Sequence, residues 1–251
     1  MHGIEQAARA ILAARAAGTP IAEASVPVAA DQAYAVQDVL TSVRMASGEQ
    51  VVGWKLGYTS AAMREALGID EPNAGPLTDA MVLRSPAHLP GAPLQPRVEP
   101  EIAVVLDDHG GIDELIPALE VVDSVWADYR FDWAHNTADG SSAAAAVLAT
   151  TSVDRGWLDE AEVVLSNSCG IETRGRVDDQ LPDLEAVVAW LRGLLAGRGQ
   201  QLAAGSVVLT GGLLAPIALP AGGWARAQFT SPQLLGDGIV VEAHRPERNA
   251  S

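Results

Sequence analysis

The chain has 251 residues, 48% of them apolar, enough for one large domain or two small ones around a substantial core. A formal net charge of −16 excludes the basic footprint that a nucleic-acid partner needs, and it means that an anionic substrate must be drawn in by local positive charge. One cysteine, Cys169, excludes an internal disulfide framework; with no basic n-region in residues 1–5 and no apolar run near the roughly 18 residues of a span, the expectation is a soluble cytoplasmic protein away from membranes.

Residues 4–17 read as a helix with Ile4, Ala8, Ile11 and Leu12 on one face, stopped by Gly18-Thr19-Pro20. A second helix starts at a predicted N-cap, Asp31, and carries Val36, Val39, Leu40 and Val43 at helical spacing up to Gly48. The spacing predicts an N-terminal helical segment, 1–48, lying on a β-rich body, 49–251, as one structural unit. Residues 51–59 read as a strand with Lys55 inside it. A Lys between Trp54 and Leu56 snorkels to water by default; a functional one would bind a carboxylate or carbonyl. A short helix over 60–67 leads into a Pro/Gly/Asp-rich loop, 68–79, that ends at Asp79, an acid whose plain role is a turn cap.

Residues 96–106 form the stretch most in need of explanation. They read as a strand ended by the turn-like Asp107-Asp108-His109-Gly110-Gly111. Glu99 and Glu101 lie two apart and project from one face, with Ala103 and Val105 continuing the row. Buried together, they would repel each other and resist desolvation unless a cation or donors compensate. A hard divalent ion would do so; an edge strand with a wet face is the alternative. An acid breaks into an apolar run again at Glu120, which a hairpin-like return would bring back as a third ligand. Asp123 reads as its outer partner or as a surface acid.

Residues 135–142 read as a polar, small-residue loop running into the Ala-rich 143–149. Asp139 or Ser141 would cap a following helix, with Ser142 an early helix residue, or the junction would present backbone N–H groups to an anion. A hairpin is predicted around residues 167–170, with Cys169 read as inert. A strong helix follows Pro182-Asp183, and strands follow at 206–210, 225–229 and 239–242. Gly211-Gly212 permits close approach of backbone to a ligand. GxGxxG, GxxxxGK[ST] and HExxH patterns are all absent, which argues against a nucleotide cofactor and a zinc site.

Several of these stretches resemble one family. Gly53-Trp54-Lys55-Leu56-Gly57-Tyr58-Thr59-Ser60 is similar to a GxKxGxTS strand, and Pro96-Arg97-Val98-Glu99-Pro100-Glu101-Ile102-Ala103 to PRxExEIA. Pro117-Ala118-Leu119-Glu120-Val121-Val122-Asp123-Ser124 resembles PALEVxDS, Thr137-Ala138-Asp139 the start of TxADNAS, and Val208-Leu209-Thr210-Gly211-Gly212 a late xxLTGG segment. In this order, from about residue 33 to 241, they resemble the fumarylacetoacetate hydrolase superfamily, in its 2-keto-4-pentenoate hydratase and 4-oxalocrotonate decarboxylase branch. The resemblance implies an α+β fold, a mixed rolled β-sandwich with peripheral helices, usually oligomeric, with catalysis in the body 49–251. It implies Mg²⁺ or Mn²⁺ at Glu99, Glu101 and Glu120, with Lys55 orienting substrate, Asp79 as proton shuttle and Ser142 at the distal end of the substrate. The implied activity is that of a lyase of aromatic catabolism: hydration of small 2-hydroxy-2,4-dienoates to 4-hydroxy-2-oxo acids. Alternatives are 4-oxalocrotonate-type decarboxylation, to which Thr210-Gly211-Gly212 leans, acylpyruvate C–C hydrolysis, or a catalytically silent partner subunit. The chain departs from the family pattern at Gly140, where Asn is usual, at Asp237-Gly238, and at Asp179-Gln180-Leu181-Pro182.

Overall fold

The computed structural model describes residues 2–232 and 238–247. In chain order the elements are α1 (His2–Ala17), α2 (Ala33–Ala46), β1 (Val51–Gly57), α3 (Ala61–Leu67), β2 (Asn73–Thr78), β3 (Val82–Arg84), β4 (Ala87–His88), β5 (Arg97–Leu106), β6 (Ile112–Val122), α4 (Trp133–Ala138) and β7 (Ala143–Leu148). They continue with α5 (Arg155–Leu158), β8 (Glu162–Asn167), β9 (Glu172–Arg176), α6 (Leu184–Gly197), β10 (Val207–Leu209), β11 (Ile217–Ala218), β12 (Trp224–Thr230) and β13 (Ile239–His244).

Two mixed sheets hold the core. Among the described residues the first runs β2-β1-β10-β5-β6-β7-β3, with β11 added to β5, and the second runs β4-β13-β12-β8-β9. The pairs β1–β10, β3–β7 and β4–β13 are parallel, and the rest are antiparallel. The two sheets pack face to face over one apolar core that includes Ile102, Leu119, Leu165 and Phe229, with α6 covering it through Leu191 and Leu195. This is the α+β sandwich with peripheral helices expected from the sequence. No helix among the described residues is long and apolar enough to cross a membrane.

Helices α1 and α2 sit on a second apolar cluster with Ile11, Val36, Leu94, Val125 and Trp126, so both form largely through packing of their apolar stripes. The predicted cap at Asp31 is not formed. Residues 30–32 make a 3₁₀ turn, and α2 begins after Gln32 without a side-chain cap. Asp183 caps α6 by accepting from Ala186 N at 3.0 Å, and Ser60 caps α3 through Met63 N. Two stretches depart from expectation more strongly. The 68–79 loop contains β2, an edge strand antiparallel to β1, where Pro76 is tolerated because an edge position leaves its missing donor unneeded. The Ala-rich 143–148 is strand β7, between β6 and β3, rather than a helix. Alanine favours helix by about half a kcal/mol per residue, which burial in a sheet overrides.

Candidate active site

Strand β5 is central rather than an edge, so the wet-face reading of Glu99 and Glu101 is wrong: Glu101 is fully buried and Glu99 half-buried. The β5–β6 hairpin places Glu99 directly opposite Glu120 and Glu101 opposite Ala118. Residues opposite one another in a sheet share a face, so all three carboxylates project together. One oxygen from each lies within 4.8 Å of the others.

The sheet opens beside them. On its other edge β5 pairs with β10 at residues 103–105 and with β11 at 97–98, leaving 99–102 without a strand partner there. Pro100 occupies this gap. Its carbonyl accepts from Leu213 N at 2.9 Å on the gap side, so the N–H that proline lacks would also have pointed there and no ladder bond is lost. Gly211 and Gly212 cross the gap. Gly211 has φ +119 and donates its N–H to Glu101 Oε2 at 2.9 Å; a Cβ on Gly212 would collide with Glu99 Oε2.

Lys55 does not snorkel. It is buried, and its ammonium reaches Glu120 Oε1 at 3.2 Å, Ser141 O at 2.9 Å and Ser141 Oγ at 3.3 Å, although alignment with Glu120 is poor for a hydrogen bond. Burial alone would lower its proton affinity; Glu120, Glu99 and Glu101 outweigh burial and hold the ammonium above its ordinary value. One cation does not satisfy the nest. Burial, then repulsion from Glu120, pushes Glu99 to about 7, and burial with repulsion from Glu120 and Glu99 drives Glu101 well up. Glu101 Oε1 has no hydrogen-bond partner among the described residues. A three-carboxylate, oxygen-only donor set with an orphaned buried acceptor fits a hard divalent cation.

The nest lies in a cleft of about 760 Å³, whose apolar side includes Val122, Phe131, Leu213 and Leu214. Ser142 lines it, with its hydroxyl given to Asn136 Oδ1 at 3.0 Å. Gly140, Ser141 and Ser142 all have positive φ, +67, +55 and +59, forming a left-handed turn rather than the start of a helix. The departure at Gly140 is sterically neutral, since Gly and Asn are the residues most at ease in that region and a Cβ there meets open space. Asp179 and Gln180, in another departing stretch, line the cleft, whereas Asp237 lies outside the described residues.

Asp79 is not brought to the site. It is exposed at the β1/β2 end, where its carboxylate accepts from Gln50 N at 3.1 Å and Ala80 N at 3.0 Å, which is a turn cap. Its predicted shuttle role therefore has no geometric support. Asp139 caps no helix either. With Asp123 it holds Arg15 of α1, at 2.6 and 3.2 Å, and it accepts from Val125 N at 2.7 Å, pinning the 139–142 turn from behind.

The residues missed in the sequence are those that support the turn. Asn73 accepts from Ser141 Oγ at 2.8 Å and donates to Thr137 Oγ1 at 2.9 Å, and Asn136 donates to Tyr58 at 3.0 Å. Asn136 stands one residue before the Thr137-Ala138-Asp139 motif, the signal that could have found it. Away from the cleft, Glu23, Asp132 and His135 also cluster, but both His135 ring nitrogens are engaged, one 2.7 Å from Asp132 Oδ1 and the other 3.0 Å from Val26 O.

The crowding at Gly212 yields a first expected result. Gly212→Ala pushes aside the Glu99 carboxylate, the far end of a flexible side chain, so the fold survives while the nest is spread. Divalent-cation affinity, read by titration calorimetry, should fall by about 10–100-fold, the scale seen when ligand-orienting groups are lost, with little change in melting temperature.

No family model matches the chain. The 2-keto-4-pentenoate hydratase of Paraburkholderia xenovorans (strain LB400) is 32% identical, over 92% of this chain and 97% of that protein. A 4-oxalocrotonate decarboxylase of Pseudomonas putida is 29% identical, over 76% of this chain and 78% of its own. In fold, the 4-oxalocrotonate decarboxylase from Pseudomonas putida G7, solved in complex with magnesium and adipate, matches with a TM-score of 0.82 at 24% identity, covering 96% of this chain and 97% of that one. With two buried carboxylates and a half-buried third, a buried lysine, and 32% identity to a 2-keto-4-pentenoate hydratase over nearly the whole chain, the chain belongs to the 2-keto-4-pentenoate hydratase family and is similar to 4-oxalocrotonate decarboxylase.

Proposed function

We propose that the chain is a divalent-metal-dependent hydratase that converts small 2-hydroxy-2,4-dienoates into 4-hydroxy-2-oxo acids. The observation that carries this reading is the nest of Glu99, Glu101 and Glu120, with Lys55 beside it, at one end of a cleft with apolar walls. Those three carboxylates would hold Mg²⁺ or Mn²⁺, which when bound supplies Lewis-acid polarisation of the carboxylate and 2-oxygen end of the substrate.

The chain's own residues do the rest. Lys55, fixed by Ser141, orients the substrate carboxylate and offsets negative charge developing on the 2-oxygen. Val122, Phe131, Leu213 and Leu214 take the hydrocarbon end and keep bulk water from it. Ser142 supports the site through Asn136 and has no hydrogen left for the substrate.

Hydration is favoured over 4-oxalocrotonate-type decarboxylation by the charges at the cleft. A decarboxylase substrate of that type brings a second carboxylate. Besides Lys55, the cleft-lining cation among the described residues is Arg176, which is already paired with Asp178 at 2.6 Å and has Asp179 nearby. A monoanion with a neutral tail suits such a cleft better. The reading also includes a homo-oligomer, supported by the exposed apolar side chains Val43 and Met45 on α2 and Met63 and Leu67 on α3.

Purified protein with Mg²⁺ should consume 2-hydroxypenta-2,4-dienoate, followed by ultraviolet loss, faster than it releases CO₂ from oxalocrotonate. Absence of turnover of either substrate, with no Mg²⁺ bound at millimolar concentration, overturns the reading. Faster CO₂ release makes the chain a decarboxylase, and a monomeric mass by light scattering removes the oligomer.

A further inference from the structure

With Asp79 outside the cleft, a proton donor for the far end of the substrate has to be sought among the groups that line it. Most of the hydroxyls there have already given their hydrogen to the protein. Tyr129 donates to the backbone oxygens of Val122 and Gln95 at 3.0 and 3.1 Å, Ser141 to Asn73 Oδ1 at 2.8 Å, and Ser142 to Asn136 Oδ1 at 3.0 Å. Ser60 serves as the cap of α3. Thr59, like Ser60, is an aliphatic alcohol and a weaker acid than a phenol.

Tyr58 is different. Its oxygen accepts from Asn136 Nδ2 at 3.0 Å, while the other end of that amide accepts from Ser142. The relay from Ser142 through Asn136 to Tyr58 runs in one direction. The phenol must turn its own hydrogen elsewhere, and no acceptor among the described residues receives it. The backbone is shaped for this placement. Tyr58 has φ +57, a left-handed conformation that a bulky side chain rarely adopts. Arg64 Nη1 clamps the turn by donating to the carbonyls of Tyr58 and Thr59 at 2.7 and 2.9 Å. Burial pushes the phenol up despite Asn136 and Lys55, which keeps it protonated at neutral pH.

Resting on the hydratase reading, we propose that Tyr58 is a further catalytic residue whose hydroxyl delivers a proton to the terminal carbon of the bound dienolate, at the end away from the carboxylate nest. The 2-hydroxyl has by then released its proton to solvent. The Tyr58 O–H bond breaks, and a C–H bond forms at C5 from the C4=C5 π pair. The C2=C3 pair shifts to C3=C4, and an oxygen lone pair closes C2=O. Water then bonds to C4 through oxygen and returns a proton to the tyrosinate, while C3 takes a proton from solvent. The sum is one water added, and Tyr58 is regenerated.

Tyr58→Phe keeps the ring and removes the donor. With Mg²⁺ and 2-hydroxypenta-2,4-dienoate, kcat should fall by about 10²–10³-fold, within the range for general acid catalysis, with KM and calorimetric Mg²⁺ affinity within about threefold of wild type. With substrate carrying tritium at one defined C5 position, wild-type turnover in D₂O should give a C5 methyl group of one chirality, and product from the variant should lose that chirality. Asn136→Leu, which leaves the phenol but removes the donor behind it, should lower kcat by an intermediate factor and tests the relay should Tyr58→Phe fail to fold. Wild-type kcat and unchanged C5 stereochemistry in Tyr58→Phe, or wild-type kcat in Asn136→Leu, overturn the assignment while leaving the hydratase reading intact. A wild-type chain that hydrates no 2-hydroxydienoate overturns both.

Discussion

Glu101→Gln should abolish metal-dependent turnover while leaving the metal-free protein as stable as wild type or more so. The two effects have one cause. Glu101 is fully buried between Glu99 and Glu120, and its charged form is opposed by burial and by both neighbours. A neutral isostere removes that repulsion. Its amide oxygen can still accept from Gly211 N, as Glu101 Oε2 does at 2.9 Å, and its NH₂ can face the two remaining carboxylates. As a cation ligand, however, it has lost its charge. Replacing groups that merely orient ligands costs about 10–100-fold in metal affinity, so loss of a ligand itself should exceed about 100-fold. Two thermal melts test this. Metal-free Glu101→Gln should melt at or above the wild-type temperature, and millimolar Mg²⁺, which raises the wild-type melting temperature by mass action, should leave the variant unmoved. Full Mg²⁺-dependent activity in the variant would remove the proposed ligand set. A stabilising loss-of-function substitution is what a site held at a cost in stability predicts.

That nest was legible in the sequence to an unusual degree because its logic is local. A strand alternates with period two, so Glu99 and Glu101 had to share a face, and a short turn at 107–111 made a hairpin return to Glu120 possible. What periodicity could not give was depth. Whether the strand lay at an edge or in the centre, and whether Lys55 reached water or a carboxylate, depended on β10 and on the 139–142 turn, which arrive from far along the chain. The same limit hid β2, where Gly75 and Pro76 read as loop punctuation. In the fold, Pro76 sits on an edge strand, and Gly75 is required because a Cβ there would strike the backbone carbonyl of Gly140. The alanines of β7 misled for the opposite reason: they favour helix locally, while small side chains suit a strand buried in the sheet between two others. Asp139 looked like a cap because its partner, Arg15, is 124 residues away.

Lys55→Met should separate metal binding from turnover, moving the two in opposite directions. In the metal-free site, Lys55 supplies the positive charge closest to three carboxylates, with its ammonium on Glu120 and the Ser141 carbonyl. Breaking a buried ion pair typically costs about 3–5 kcal/mol. The loss here should be smaller, because Glu99 and Glu101 already favour the protonated form and can take up a proton in response. At about 2–4 °C of melting temperature per kcal/mol for a chain of this size, the drop is measurable. A bound divalent cation then supplies the missing positive charge and no longer faces a buried ammonium. Mg²⁺ should therefore bind Lys55→Met as tightly as wild type or more tightly, and it should raise the melting temperature more. Turnover should nonetheless fall by at least about 10²-fold, the scale for losing a preorganised electrostatic donor, because the substrate carboxylate loses its orienting charge and the Ser141 carbonyl loses its donor. Glu101→Gln loses metal and activity together, whereas Lys55→Met keeps the metal and loses the activity. If Lys55→Met lost Mg²⁺ affinity along with turnover, Lys55 would be a scaffold for the nest rather than a group that handles substrate. If it kept turnover, the ammonium would be no more than a counter-ion for the empty site.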